Sequence, residues 1–582
     1  MTEPAIQFRR KLIGAAAILV LAAGLGATGF CFHAPDKPAT VADNKDASGV
    51  GGSVLFATWP KDKPDALIVL SGQTFGHVQP CGCSRPQMGG LERRANFMDA
   101  LRKKGWPVAG ADLGDIHPDR HPLGAPPITT PPKQALLKYV ATMNALREMG
   151  FIAVGVGKTE LAAGIHALTG EYSLQEERPP FVLAGNLTGK SNDKAIKRED
   201  FFTAGPDRKR ALVGIAEVAD FGGVAVGIVG MIGKGPEDKG LDAEASKLDE
   251  RLVVTRGDEM LKDALDLLSR SEKKTAVNML LYQGTVEFAK LIAKDRPEFS
   301  VILCQSEDSE PPQFPEYVGK TMIVQVGHKG RYVGAVGVFK TAKGIELKYQ
   351  LVPLGEEWLT PNTAEAEKES KTLKLLEEYA AEVKKRDMLS MITPIAHPAQ
   401  IQAAKFNLSY VGSEKCVACH GGEHQKWKGT PHSHAMDALE KIAKRPGLRN
   451  LDAECVICHT VGFGFKTGYE NETKTPELKN VQCESCHGPG SGHMSAEKNE
   501  TFLKLMSPWK TDKGDKLPDV AMMEKLAKLD PVERGKVAIP PAQNRVINAV
   551  SNHCQKCHDV ENDPHFDLYK YWPKIAHSGF KK

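Results

Sequence analysis

Eight of the twelve cysteines stand in four copies of one five-residue frame, Cys-x-x-Cys-His: Cys416, Cys419 and His420; Cys455, Cys458 and His459; Cys483, Cys486 and His487; Cys554, Cys557 and His558. In a helical turn, side chains at i and i+3 point to one side and the histidine at i+4 stands beside them. Two thiols so placed can add to the two vinyl groups of a porphyrin, and the imidazole then meets its iron axially. Paired cysteines can also hold zinc, but zinc gives no reason for a histidine to follow the second cysteine directly every time. The frames therefore predict four covalently attached haem c groups, with His420, His459, His487 and His558 as proximal iron ligands.

The chemistry of such an iron depends on its sixth ligand. Histidine lowers the potential, methionine raises it, and an open position admits a small molecule. Seven more histidines lie in the same part of the chain: His424, His432, His434, His493, His553, His565 and His577. That supply predicts mostly bis-histidine haems.

Four stretches here carry a resemblance. They are Tyr410-Val411-Gly412-Ser413-Glu414-Lys415-Cys416, Trp427-x-x-Thr430-Pro431-His432, Cys483-Glu484-Ser485-Cys486-His487-Gly488-Pro489-Gly490 with His493, and Tyr571-Trp572-Pro573-Lys574-Ile575-x-His577. Over roughly residues 409 to 579 they resemble the tetrahaem cytochrome c family that accepts electrons from hydroxylamine oxidoreductase. The resemblance implies a haem-packed, mainly α-helical fold with closely stacked haem pairs, and His432, His493 and His577 as distal ligands. His434 competes with His432, and His424 or His553 could complete the set.

The rest of the chain must carry and position this part. At 582 residues it is too long for one core, since domains run to about 100–200 residues. A formal charge of +4 with 25% charged residues gives no sign of a nucleic-acid surface. Leu12 to Phe32 has no charged residue and follows Arg9, Arg10 and Lys11. It predicts an N-terminal transmembrane helix, with the N-terminus in the cytoplasm and the remainder on the periplasmic side. An uncleaved signal anchor over residues 1–33 is preferred to a signal cleaved to release the chain into the periplasm, because secretory apolar regions are shorter. Residues 34–63 read as a flexible linker.

From 64 to 355, apolar runs at 66–70, 107–113, 151–156, 181–185, 224–232, 276–282, 299–304 and 322–327 alternate with amphipathic stretches. They predict α/β layers with strands apolar on both faces. Ser71-Gly72-Gln73-Thr74-Phe75-Gly76-His77, Pro80-Cys81-Gly82-Cys83, Gly89-Gly90-Leu91-Glu92-Arg93-Arg94, Gly114-Asp115 and Lys158-Thr159-Glu160 follow in order. With Gln283, Gln305-Ser306-Glu307-Asp308 and the stretch Val324 to Gly334, they resemble the metallophosphoesterase domain of the 5'-nucleotidase family. The expected architecture is thus a metallophosphoesterase-like layered sandwich followed by the multihaem cytochrome c domain.

That family holds two metals with carboxylates and imidazoles. The corresponding positions here are Gln73, Phe75, Lys158, Thr159, Gln283 and Ser306, all poor ligands, with Asp115 retained and Asp308 as a substituted oxygen donor. Lys158 would set a positive charge where a metal should sit. The expectation is a domain that has lost hydrolysis and serves structure or docking. Cys81 and Cys83 receive no role, and Cys304 reads as buried packing. Residues 356–408 read as a helical connector, with a start at Thr360-Pro361 and Leu373, Leu376, Ala380 and Val383 on one face.

Together these readings predict a membrane-tethered periplasmic tetrahaem cytochrome passing electrons between periplasmic or membrane redox proteins. The alternatives are an oxidoreductase acting on a small nitrogen compound at an open haem, and a phosphoester hydrolase.

Overall fold

The structure is a computed structural model describing residues 55–60, 63–80, 87–118, 132–173, 179–191, 194–202, 211–233, 250–442, 447–510, 512, 514–559, 562–563 and 565–577. Leu12 to Phe32, the linker up to residue 54, and Cys81 and Cys83 lie outside the described residues. Among the described residues, no helix is long and apolar enough to cross a membrane.

Each of the eight apolar runs forms a strand, but in two sheets rather than one. The first runs, edge to edge, Gly344–Pro353, Tyr332–Thr341, Ala66–Ser71, Val108–Asp112, Phe151–Gly155 and Phe181–Leu183. The second runs Glu316–Val318, Thr321–Val324, Val301–Cys304, Val277–Gln283, Val224–Ile232 and Ala216–Phe221. The central pairings of both are parallel; the second sheet has an antiparallel strand at each edge, whereas the first has antiparallel pairings on one side only and ends on the other in the parallel strand Phe181–Leu183.

Strand alternation divides these residues between layers. Ala66, Ile68 and Leu70 meet Val226, Ile228, Met279, Leu281 and Leu303 in a core between the sheets. Leu67 and Val69 point the other way, under the helices Leu91–Lys103 and Pro132–Glu148. Val229, Leu280, Tyr282 and Ile302 face outward beneath Gly257–Ser269 and Val286–Asp295. Met260, Ala264 and Leu268, spaced by four, form the buried stripe of the first of these two helices. Because each strand is covered on both faces, its sequence is apolar throughout, and such a run cannot say whether a helix or a second sheet lies above it.

The Gly-Gly-Leu-x-Arg-Arg stretch ties the layers together. Arg94 is fully buried; its Nη1 donates to Ser71 Oγ at 3.1 Å and lies 3.6 Å from Asp112. Arg93 donates to the carbonyls of Gly89 and Gly355, and Glu92 accepts the N–H of Thr360. The connector begins later than Thr360-Pro361: Thr363 caps Ala364–Glu369 and Ser370 caps Lys371–Lys385, each hydroxyl accepting a first-turn N–H. Leu373, Leu376, Ala380 and Val383 are buried, with Tyr379.

The C-terminal region is short helices, many started by an acidic or amide cap: Asp452, Asn499, Asp519, Asp530 and Asp567 each accept an N–H of the turn they open. Its apolar residues fall into separate small clusters, around Val456 and Phe463, around Ile547 and Trp572, and around Leu408 and Phe502. Residues Gly51–Lys582 form one compact unit, so the α/β layers and this region pack together.

Candidate functional site

Each Cys-x-x-Cys-His frame forms a helical turn. Cys455 to His459 and Cys483 to His487 lie within the helices Ala453–His459 and Cys483–His487. In the other two, the N–H of His420 donates to Cys416 O at 2.9 Å and that of His558 to Cys554 O at 3.0 Å. Cysteines i and i+3 therefore share a side, with the histidine next above them.

Three of the four frame histidines face a second, distant imidazole. Ring centroids are 6.1 Å apart for His420 and His493, 5.9 Å for His558 and His432, and 6.0 Å for His487 and His577. A metal held about 2 Å from a nitrogen of each of two opposed imidazoles sets their centroids about 6 Å apart. The spacing fits one iron per pair. Gly488, at φ 79°, ends the Cys483–His487 helix in a conformation that favours glycine. The turn that follows carries His493 away from His487 to the His420 ring.

The tautomers fit too. Nδ1 of His459 lies 2.6 Å from Ala435 O, that of His487 2.7 Å from Met506 O, and that of His558 2.8 Å from Asp563 Oδ2. An Nδ1–H donated to an oxygen leaves Nε2 with a lone pair for a metal and fixes the ring plane. Burial lowers the pKa of His459 and His487 and pushes that of His432 down to about 4, which keeps these three imidazoles neutral. His493 leaves a buried Nδ1 without a hydrogen-bond partner.

The remaining histidines are placed otherwise. His424 is buried against the Trp427 ring, with its Nε2 3.5 Å from Glu414. His553 stands edge-on to Trp509, burial pushing its pKa down to about 4. His434 and His565 are exposed.

The frames pack on one another: Cys458 Sγ is 3.9 Å from the carbonyl of Lys556, inside the fourth frame, and Ser485 Oγ of the third frame is 3.5 Å from the carbonyl of Thr460, directly after the second. Glu484, inside the third frame, is buried and accepts the N–H groups of Val411, Gly412 and Gly490, holding the chain before the first frame against the third.

The second candidate site is the edge of the α/β layers where the parallel strands end. Gln73 Oε1 accepts the N–H of Ser306 at 2.7 Å, and its Nε2 donates to Ser306 O at 3.1 Å. His328 Nε2 lies 2.9 Å from the same carbonyl. Gln283 donates to Leu113 O and accepts from Gln305. The Glu160 carboxylate accepts the N–H groups of Asp115, Ile116, His117 and Gly157, while Asp115 accepts from Thr159. Neutral amides thus bond to each other and to backbone where the resemblance set metal ligands. Lys158, the first residue of the helix Lys158–Ala163, is exposed, and so is Asp308, which follows the buried strand Val301–Cys304. Gln73, Phe75, Asp115 and Lys329 keep positive φ of 49–57° here, a strained backbone typical of binding loops.

The haem frames define a c-type cytochrome segment, a class that binds its haem covalently. Residues 415–488 match the family described as Cytochrome c554 and c-prime. Cytochrome c-554 of Nitrosomonas europaea is 38% identical over 94 residues, which cover 14% of this chain and 40% of that protein. The chain thus spans less than half the length of this curated relative. A solved reduced cytochrome c554 from the same organism is 26% identical over 29% of this chain and 98% of its own, at a TM-score of 0.16. A 5'-nucleotidase precursor from Thermus thermophilus is 17% identical over 57% of this chain and 60% of its own, at a TM-score of 0.39.

Sequence reasoning missed what orients the frame histidines. Asp563, five residues after His558 in an acidic run, carried a signal; the carbonyls of Ala435 and Met506 carried none, since every residue has one.

Proposed function

We propose that the chain is a membrane-tethered periplasmic tetrahaem c-type cytochrome that passes electrons between redox proteins, beside a phosphoesterase-like domain without hydrolytic activity. The observation that carries this reading is the set of three opposed imidazole pairs, each joining a frame histidine to a histidine remote in sequence.

In this reading the eight frame cysteines hold four haems by thioether bonds. His420, His459, His487 and His558 are proximal ligands, with His493, His577 and His432 distal to the first, third and fourth frames. Each haem supplies a one-electron store whose potential the protein sets through the ligands, the hydrogen bonds those ligands make, and burial. The residues supply the rest. Ala435 O, Met506 O and Asp563 orient the rings of His459, His487 and His558, and burial keeps His432, His459 and His487 neutral. The packing of frame against frame gives electrons a path between haems. The amide network around Gln73, Gln283 and Ser306 supports the absence of hydrolysis, because an amide is a poor ligand for a hydrolytic metal pair.

A redox-titrated optical and paramagnetic resonance spectrum of the purified protein tests this. Four haems per chain, at least three of them low-spin, are expected. Fewer than three low-spin irons would overturn the ligand assignment, and turnover at a high-spin iron perturbed by nitric oxide would favour the small-nitrogen-compound reading. Stoichiometric divalent metal besides haem iron would reopen hydrolysis.

A further inference from the structure

A lysine of the α/β layers reaches into the haem region. Lys138, on the helix Pro132–Glu148, is only 2% exposed, yet its Nζ lies 2.6 Å from Glu454 Oε2 and 3.7 Å from Asp452 Oδ2. These carboxylates open the helix Ala453–His459, which carries the second frame. Asp452 does three things at once. Its Oδ1 caps that helix by accepting the N–H of Glu454 at 3.0 Å, its Oδ2 accepts from Tyr379 of the connector at 3.1 Å, and it faces Lys138. Gln134, one turn before Lys138, donates to the Tyr379 hydroxyl at 2.9 Å. Arg449, nearly buried three residues before Asp452, donates to Pro80 O of the α/β layers at 2.7 Å.

The second frame is thus held by the neighbouring domain. The third frame is anchored differently, by Glu484 within the haem region. Burying the lysine of an ion pair is an inefficient way merely to join two surfaces, because apolar residues of the same volume do so at least as well. What it adds is fixed charge: a cation balancing two carboxylates within one helical turn of Cys455.

We propose that Lys138 is a positioning residue of the α/β domain that sets the reduction potential of the haem carried by Cys455, Cys458 and His459. It does so by neutralising Asp452 and Glu454 and holding the turn that presents the frame. On this view the α/β domain regulates one haem of the electron path. The proposal rests on the haem reading above.

Removing the cation leaves two unbalanced carboxylates, which disfavour the added electron; removing a carboxylate does the reverse. Potentiometric titration of the full-length holoprotein should therefore show opposite signs in two variants. Lys138→Met should lower one of four potentials by a factor of about ten in the reduction equilibrium, which is about 59 mV for a one-electron couple. Glu454→Gln should raise the same potential, and Lys138→Arg, keeping the charge, should hold it within about twofold of wild type. All four potentials unchanged within about twofold (about 18 mV) in both Lys138→Met and Glu454→Gln would overturn the proposal. So would shifts of the same sign in both, which mark a packing effect. A haem count separates the two readings: wild type without haem on Cys455 and Cys458 would overturn both, whereas four haems with unmoved potentials would overturn this one alone.

Discussion

The α/β layers and the C-terminal region solve the burial problem in different ways. The first enclose continuous apolar cores on both faces of two sheets, and even their polar strand ends are closed by mutual hydrogen bonds. The second divides its apolar residues among small clusters and leaves imidazoles facing each other about one metal apart. One region carries its stability in its own side chains. The other has no single apolar core among its described residues, and it brings histidines remote in sequence together in pairs.

The sharpest way to break this contrast is to deny the C-terminal region a haem. The double variant Cys483→Ala, Cys486→Ala should strip residues 409–577 of protease resistance while residues 66–354 stay resistant; equal resistance of both regions would refute the contrast. Next in size is Ile68→Ala, at a fully buried site between the sheets. It should destabilise the α/β layers by about 2–5 kcal/mol in denaturant unfolding, with haem spectra unchanged.

The closed polar site has a pH signature. Burial, then the charge of Glu160, raises the Asp115 carboxyl to about 7. A carboxyl raised on folding keeps its proton more readily in the native state than in the unfolded chain. The cost of ionising it is therefore absent below the unfolded value of about 4 and complete above about 7. Stability of the α/β layers should fall across that window by up to about 1.4 kcal/mol per pH unit. Asp115→Asn should flatten the slope, and calorimetry showing the same slope in the variant would contradict the assignment. The smallest effect on stability belongs to His493→Ala. It should turn one low-spin haem high-spin while four remain attached, and an unaltered spectrum would mean that another group faces His420.

Much of this was legible because it is local. A helical turn places Cys, Cys and His by spacing alone, and apolar runs such as Val224–Ile232 report burial without reference to their neighbours. That Gln73, Gln283 and Ser306 are poor metal ligands was likewise visible, since residue type decides what can ligate. The exposure of Lys158 and Asp308 was not legible, because packing, not a spacing, chooses which way a side chain points. Lys138 was invisible: on its own helix it sits among residues that pack, and nothing in its surroundings names Glu454, more than three hundred residues away.

The chain by itself determined four Cys-x-x-Cys-His frames, each a helical turn with the histidine beside its cysteines, and strands enough for layered sheets, because each follows from the geometry of a few consecutive residues. Only the tertiary structure decided that His493 stands near His420, His577 near His487 and His432 near His558, and that a lysine of the α/β layers closes on the second frame. Those pairings join segments far apart in sequence. They are set by how the helices pack, to which a histidine's own neighbours give no clue.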